Sequence, residues 1–438
     1  MEPPLVIEHR DALIYMLCEA AELEHAICCQ YLYAGFSLKQ GDDDSLDHRQ
    51  KRAVDKWRRT VFEVAAQEML HLATVNNLLS AIGAAPRVGR PNLPASGRHY
   101  PAAIQLALVP FSERALRHFL YLERPEGISL KDAEGFEAMR EAEPLMSAED
   151  IVPRPQEFAT IGHLYRSIEE GFRHLVERHG EDWLFIGPPK AQARPETFRW
   201  DDLVPVTDLS SARAAIEVVV EQGEGSRGHW RDSHYGMFLE VLGEFLTLRR
   251  EDPTFEPALP VQPAAARLPV DATPALLVSD PITARVLDAF NVTYEVVLYL
   301  LAHYFGHHEG TTDAEIEAVA DVAVTLMITV LMPLGNAVTQ MPIGPEHPGA
   351  TAGPSFEIFY GSGYLLPHKR AAWILIHERL LEVGAFLGHL VEKGGPAELG
   401  GVRDAVGKAA ARLELEMPVL AQREITAPRA WVGTTRRH

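Results

Sequence analysis

Two stretches with helical periodicity carry an acidic residue where an apolar one belongs. In AELEHAICCQYLYAGF, Glu24 shares a face with Leu13, Leu17, Ala21, Cys28 and Tyr31, at about 100° of rotation per residue. In EVAAQEMLHLATVNNLLSAIG, Glu68 shares its face with Val61, Val64, Leu72, Val75 and Leu79, and His71 lies one turn on. A lone carboxylate in a core is costly unless it has a partner or a metal. Carboxylates and a Glu-x-x-His imidazole pointing inward from facing helices are how four-helix bundles hold two iron or manganese ions. Glu-x-x-His is also common on solvated helices. The buried face, with Glu24 matching it one helix earlier, is what turns this pair toward metal.

Such a centre needs ligands from two more helices. Across residues 157–179, Phe158, Ile161, Tyr165, Ile168 and Phe172 define the apolar face. Glu169 flanks that face by roughly 60°, whereas Glu170 and His163 point away. Glu169 is therefore the better ligand, although a surface ion pair suits either residue taken alone. His234 falls among Phe238, Val241, Leu242 and Phe245, again on an apolar face. Arg231 stands three residues before it, so this helix lacks an intact Glu-x-x-His. Glu224 or Glu221 could supply the missing carboxylate, because the flanking Gly223 and Gly225 let the backbone leave the helix there. A plain helix-ending turn is the competing reading.

The elements that must position these residues are almost all helical. The first helix is expected over 11–38 and the second, after an acidic turn, up to residue 82, where Gly83 and Pro86 stop it. Residues 87–100 read as loop, 112–123 as a short helix, 157–179 as the third core helix, and the fourth begins near Ser210. A further helix follows from His234. Residues 251–281 are dense in proline and serve as a linker or wrapping segment. Asp280 and Pro281 then make an N-cap and first helical residue, and helices resume. The expected organisation is a bundle over 1–250, the Pro-rich segment 251–281, and a helical region over 282–438. Strand alternation is scarce, so the fold class is all-α.

Composition narrows the function classes. With 61 acidic against 41 basic residues the net charge is −20, which argues against nonspecific nucleic-acid binding. Cys18, Cys28 and Cys29 all fall on the first helix, without zinc-like spacing, and Cys28 is expected to pack as a small hydrophobe in a reducing compartment. The acidic N-terminal stretch does not read as a secretion signal. The most apolar run, 322–334, contains Pro333 and falls short of the roughly 20 residues of a membrane span. A cytoplasmic protein without membrane or nucleic-acid partners is expected. His303, His307 and His308 read as a helix end complementing the dipole rather than as a metal site, and TAGPSFE reads as packing. No phosphate loop, Ser-His-Asp arrangement or dinucleotide fingerprint stands out.

The segments LEHAICCQYLYAGFSL, EVAAQEMLHLATVNNLLSAIGAAPR, FATIGHLYRSIEEG, VVEQGEG and SHYGMF resemble the ferritin-like domain of the imine-dimer synthases of violacein and rebeccamycin assembly. The resemblance covers about residues 5–250, and FNVTYEVVLYLL with TAGPSFE is similar to the helical region that often follows this domain. It implies a ferritin-like four-helix bundle with an additional C-terminal helical region. It also implies a ligand set of Glu24, Glu68, His71, Glu169, His234 and one of Glu221 and Glu224. The implied activity is redox chemistry on amino-acid-derived imines or related intermediates, with haem in some members. His163 and the shorter chain depart from the pattern.

On this basis the chain is expected to be a di-iron oxidoreductase, manganese being the other metal considered and haem left open. It would use dioxygen or peroxide on a small molecule, and a homo-oligomer is allowed. Glu24 and His71 are assigned to one metal, Glu169 and His234 to the other, with Glu68 and Glu221 or Glu224 bridging or completing them. Tyr165 is a ligand partner, an electron donor or plain core. The alternatives are a non-catalytic iron-binding or storage bundle and a peroxide-consuming enzyme.

Overall fold

A computed structural model of the chain describes residues 4–416, apart from 41–42, 96–99, 102–103, 137–146, 148, 226–229, 268–274, 307–309 and 360–367. Two compact units divide it, Met1–Leu259 and Pro260–His438. The chain is all-α as expected. Among the described residues the only paired strands are β1 (Ala264–Ala265) and β2 (Leu276–Leu277), two residues each and parallel.

The first unit is built on α1 (Arg10–Ser37) and α2 (His48–Ala81), which pack along each other. Around them lie α3 (Glu113–Leu122), α4 (Ile161–His179), α7 (Leu209–Gly223) and α8 (His234–Glu251). Two single turns, α5 (Glu181–Leu184) and α6 (Pro195–Phe198), connect α4 to α7. Helix α1 is apolar nearly all round because neighbours cover it on every side, the pattern of a fully enclosed helix. A capping box at Asp47 and Gln50 starts α2, and Gly83, at φ +80°, ends it. The core is anchored by Trp57, stacked on Phe111 at 5.6 Å, with Phe245 and Phe255 edge-on. Its indole nitrogen donates to Glu244 Oε2 at 2.7 Å, which satisfies the one polar atom of a buried ring.

The Pro-rich segment belongs to both units. Phe255 and Ala258 lie in the core of the first, and its backbone is tied to the end of α1 by Lys39 N to Pro257 O at 2.9 Å and Leu259 N to Ser37 O at 2.8 Å. In the second unit Val261 bridges to Thr351.

There α9 (Pro281–Phe305), α10 (Asp313–Leu326), α12 (Lys369–Glu392) and α13 (Leu399–Glu416) pack in a closed ring, α9 and α13 each touching both α10 and α12. Asp280 caps α9, accepting from the N–H groups of Ile282 and Thr283, with Pro281 at the first helical position. His303 lies in the last turn of α9; His307 and His308 fall outside the described residues. TAGPSFE packs along α9: Asn291 Oδ1 accepts from Glu357 N at 3.1 Å, and Glu295 Oε1 from Phe359 N at 2.6 Å.

One expectation fails in this unit. Pro333 does not end the apolar run: a single π turn, Met327–Leu331, joins α10 to α11 (Met332–Val338). Widening the turn accommodates a residue that lacks an N–H and whose ring would strike the preceding turn. Asp313–Val338 is thereby long and apolar enough to cross a membrane, with mean hydropathy 1.9 over 18 residues, and 56% of that window is buried in protein. A core helix of a globular bundle gives the same signal.

Candidate metal centre

Five buried side chains converge inside the first unit. Glu24 comes from the middle of α1, Glu68 and His71 from α2, Glu123 from the C-terminal cap of α3, and His234 from the first turn of α8. They form two sets that share Glu68: Glu24, Glu68 and His71, and Glu68, Glu123 and His234, each with ligand atoms within 4.8 Å of one another. His71 Nδ1 lies 2.9 Å from Glu68 Oε2 and 3.6 Å from Glu24 Oε2. His234 Nδ1 lies 2.9 Å from Glu68 Oε1 and 3.6 Å from Glu123 Oε2. The two imidazoles face each other at 5.3 Å. The result is nearly symmetric, one histidine and one terminal carboxylate on either side of a central carboxylate.

A second layer repeats the symmetry. His71 Nε2 pairs with Gln222 Oε1 at 3.0 Å and His234 Nε2 with Gln67 Oε1 at 2.8 Å. An amide oxygen accepts only, so each Nε2 must carry its proton and each Nδ1 is turned to the centre. Tyr165 donates to Glu24 Oε1 at 2.5 Å, and Tyr31 donates to Glu123 Oε1. Replacing Gln67 by Leu should therefore weaken metal binding at His234 by about 10–100-fold, while Gln222→Leu does so at His71. Titration with Co²⁺, followed optically, checks this; equal weakening of both positions by either change would be inconsistent with it.

The electrostatics are those of carboxylates crowded without water. Burial and the charge of Glu68 raise Glu24 to about 8, and the same two causes raise Glu123. Burial would also raise Glu68, but the flanking His234 and His71 pull it well below the carboxylate range. Burial opposes charge on the histidines, yet Glu68 and the terminal carboxylates lift His234 to about 9 and His71 well above its ordinary value. Burial and the adjoining carboxylates keep Tyr31 and Tyr165 firmly protonated, hence hydrogen-bond donors.

This donor set fits a hard or borderline divalent ion. It offers carboxylate oxygens and imidazole nitrogens only. His234 Nδ1, fully buried, makes no hydrogen bond although Glu68 Oε1 is 2.9 Å away. A buried nitrogen left unsatisfied beside a carboxylate oxygen is a donor atom that a metal ion would satisfy.

The other residues expected here stand elsewhere. Glu169 pairs with Arg213 across α4 and α7 at 2.7 Å, and is partly solvated. Glu221 is exposed on α7. Glu224, the C-cap of α7, accepts from Arg166 at 2.8 Å and from Glu126 N at 3.0 Å. Glu169 and Glu224 are thus engaged by cations or a backbone N–H, and Glu221 faces solvent; none belongs to the buried cluster. Position 231 lies in the turn before α8, whose N-cap is Ser233, so no helical Glu-x-x-His could form there. His163, expected to point away, is buried at the start of α4.

Glu123 takes the place expected of a fourth-helix carboxylate. It was legible by the same signal as Glu24: Leu116, Phe119, Leu120 and Glu123 follow the i, i+3, i+4, i+7 spacing of one apolar face. The shortness of α3 hid it, since a residue at a helix end is easily read as a cap.

A bundle with paired carboxylates and histidines at its centre defines the ferritin-like class. The Ferritin-like family model matches residues 17–243, and the chain belongs to that family. Among curated proteins it is similar to the dichlorochromopyrrolate synthase of Lentzea aerocolonigenes, 29% identical over 80% of this chain and 36% of that protein. It is likewise similar to the 2-imino-3-(indol-3-yl)propanoate dimerase of Chromobacterium violaceum, 28% identical over 80% of this chain and 34% of that protein. The chain spans about a third of the length of these relatives. A ferritin-like protein from Caulobacter vibrioides superposes with TM-score 0.43 and 16% identity over 73% of this chain and 96% of its own.

Proposed function

We propose that this protein is a di-metal oxidoreductase, its metals iron, acting on a small amino-acid-derived molecule. The observation that carries the reading is Glu68, a buried carboxylate whose two oxygens face His234 and His71 respectively, each at 2.9 Å. In this reading Glu24, Glu68 and His71 would hold one metal, and Glu68, Glu123 and His234 would hold the other. Two iron ions held there would supply one-electron steps between an electron-rich organic molecule and dioxygen or peroxide.

The chain's own part is to bind, orient and exclude water. Tyr165 and Tyr31 hold the terminal carboxylates by their outer oxygens, which restricts their swing. The apolar residues of α1 and α2 around them, among them Leu17, Val61, Val64 and Val75, are fully buried. In that dry setting Glu24 and His234, both protonated at neutral pH when no metal is bound, give up protons as ligands form.

The names of two relatives support a substrate class. One is named for an imino acid bearing an indole ring and the other for a chromopyrrolate, so we propose an imino acid or a product of its coupling. Metal analysis with an optical spectrum, then oxygen uptake in the presence of indole-bearing imino acids, tests the reading. Two irons per chain and substrate-dependent oxygen uptake are expected. Bound iron without any such uptake would favour an iron-binding or storage role, and a protein that takes up no metal would sink the proposal.

A further inference from the structure

We infer that Asp202 is a positioning residue for the candidate metal centre: through the Gln222 amide it holds His71 with Nδ1 turned to the cluster, and so tightens that position alone. The inference rests on the metal-binding reading above. A neutral imidazole that binds metal through Nδ1 keeps its proton on Nε2, and that proton needs an acceptor. A glutamine serves each histidine in this way. As a partner, though, a glutamine is ambiguous: its oxygen accepts, its nitrogen donates, and a half-turn of the amide exchanges them. What the far end of the amide meets decides which atom is offered to the ring.

The two glutamines differ there. The Gln222 amide nitrogen donates to Asp202 Oδ2 at 3.2 Å, while its oxygen lies 3.0 Å from His71 Nε2. A carboxylate accepts only. Turning this amide over would set oxygen against oxygen at Asp202 and N–H against N–H at His71, so one orientation is allowed. Gln67 offers its oxygen to His234 Nε2 at 2.8 Å, but among the described residues its nitrogen has no hydrogen-bond partner. A half-turn there violates nothing at the far end. The ligand atoms are nearly symmetric about Glu68, and this contact breaks the symmetry.

Asp202 is exposed, yet the loop that carries it is fastened to the helix that carries His71. On α2, buried Asn77 donates from Nδ2 to Ala193 O at 2.9 Å and to Val204 O at 3.2 Å, and its Oδ1 accepts from Ala193 N at 2.7 Å. Gln192, also buried, closes the same loop through two bonds with the Val206 backbone, each 2.6 Å. These anchors lie on both sides of Asp202 in the chain, so a solvent-facing carboxylate keeps its place beside α7. A hydrogen bond that merely replaces one to water contributes little; this one acts by excluding the wrong amide orientation.

The test titrates the full chain with Co²⁺ and reads the two binding steps optically. The proteins are wild type, Asp202→Ala, Gln222→Leu, the double variant of those two, Gln67→Leu, and the control Asp201→Ala, which removes the same charge from an exposed neighbour. Asp202→Ala should weaken one step several-fold, short of the about 10–100-fold loss from Gln222→Leu. That step should be the one that Gln222→Leu weakens and Gln67→Leu spares. In the double variant Asp202→Ala should add nothing, because its route to the ring is gone. Asp201→Ala should match wild type. Unchanged binding in Asp202→Ala would overturn the inference. So would loss at both positions, an equal loss from Asp201→Ala, or a full further loss in the double variant, the results that plain surface charge would give. A wild type that takes up no Co²⁺ would instead remove the metal-binding reading itself.

Discussion

Replacing Glu68 by Ala should empty both metal positions at once. Its two oxygens serve both sets of donors, and no other carboxylate of the cluster does. Loss of a hydrogen-bond partner outside the ligands costs about 10–100-fold in metal affinity, so loss of the shared ligand should cost more than about 100-fold at each position. Glu24→Ala should weaken chiefly the position with His71, and Glu123→Ala the position with His234, halving the stoichiometry. The fold should survive all three changes, because α2 packs through Val61, Val64, Val75 and Leu79, all buried. Metal content per chain, with circular dichroism as the control, reads the result. A Glu68→Ala protein that keeps two metals would exclude the shared role.

Acidification should release metal steeply. Without metal, Glu24 holds its proton up to about 8 and His234 up to about 9. Glu24 and His234 serve different positions, so ligation displaces at least one proton at each at neutral pH, and the affinity of each position should rise at least about tenfold per pH unit below 8. Stability of the metal-free protein runs the other way. Both folded values are raised, so the stabilisation they give is complete below the ordinary values of 4.5 for Glu24 and 6.5 for His234. It is lost as pH rises through about 8 for Glu24 and about 9 for His234. Glu68, held low, opposes this only on the acid side of its ordinary 4.5. The metal-free melting temperature should therefore fall from slightly acid to alkaline pH, while the gap to the metal-loaded protein widens. Melting curves with and without EDTA from pH 5.5 to 9 check both signs. A metal-free protein that grows more stable toward pH 9 would contradict the crowded-carboxylate picture.

The helices themselves were legible because their signals are local. Helical periodicity, the Asp280–Pro281 start and the stop at Gly83 each depend on residues within one or two turns, and the structure places helix ends close to them. The all-α class and the ferritin-like resemblance followed from the same segments. Pro333 misled because proline in isolation breaks a helix, whereas a single π turn in a packed bundle absorbs it.

For the site, the sequence determined which carboxylates and imidazoles lie on apolar faces. That sufficed for Glu24, Glu68, His71 and His234, since a charged residue inside an apolar stripe has only the core to point into. The same reading was open at Glu123. What tertiary structure alone decided is which flanking carboxylates turn inward. Glu169 and Glu224 sit beside apolar faces too, but Arg213 and Arg166, distant in sequence, meet them across helix pairs and hold them away. An ion pair between helices depends on their axial offset and rotation, which no local pattern encodes. The same offset carries the end of α7 over the centre, bringing Gln222 to His71 and leaving Gly223 beside Glu123.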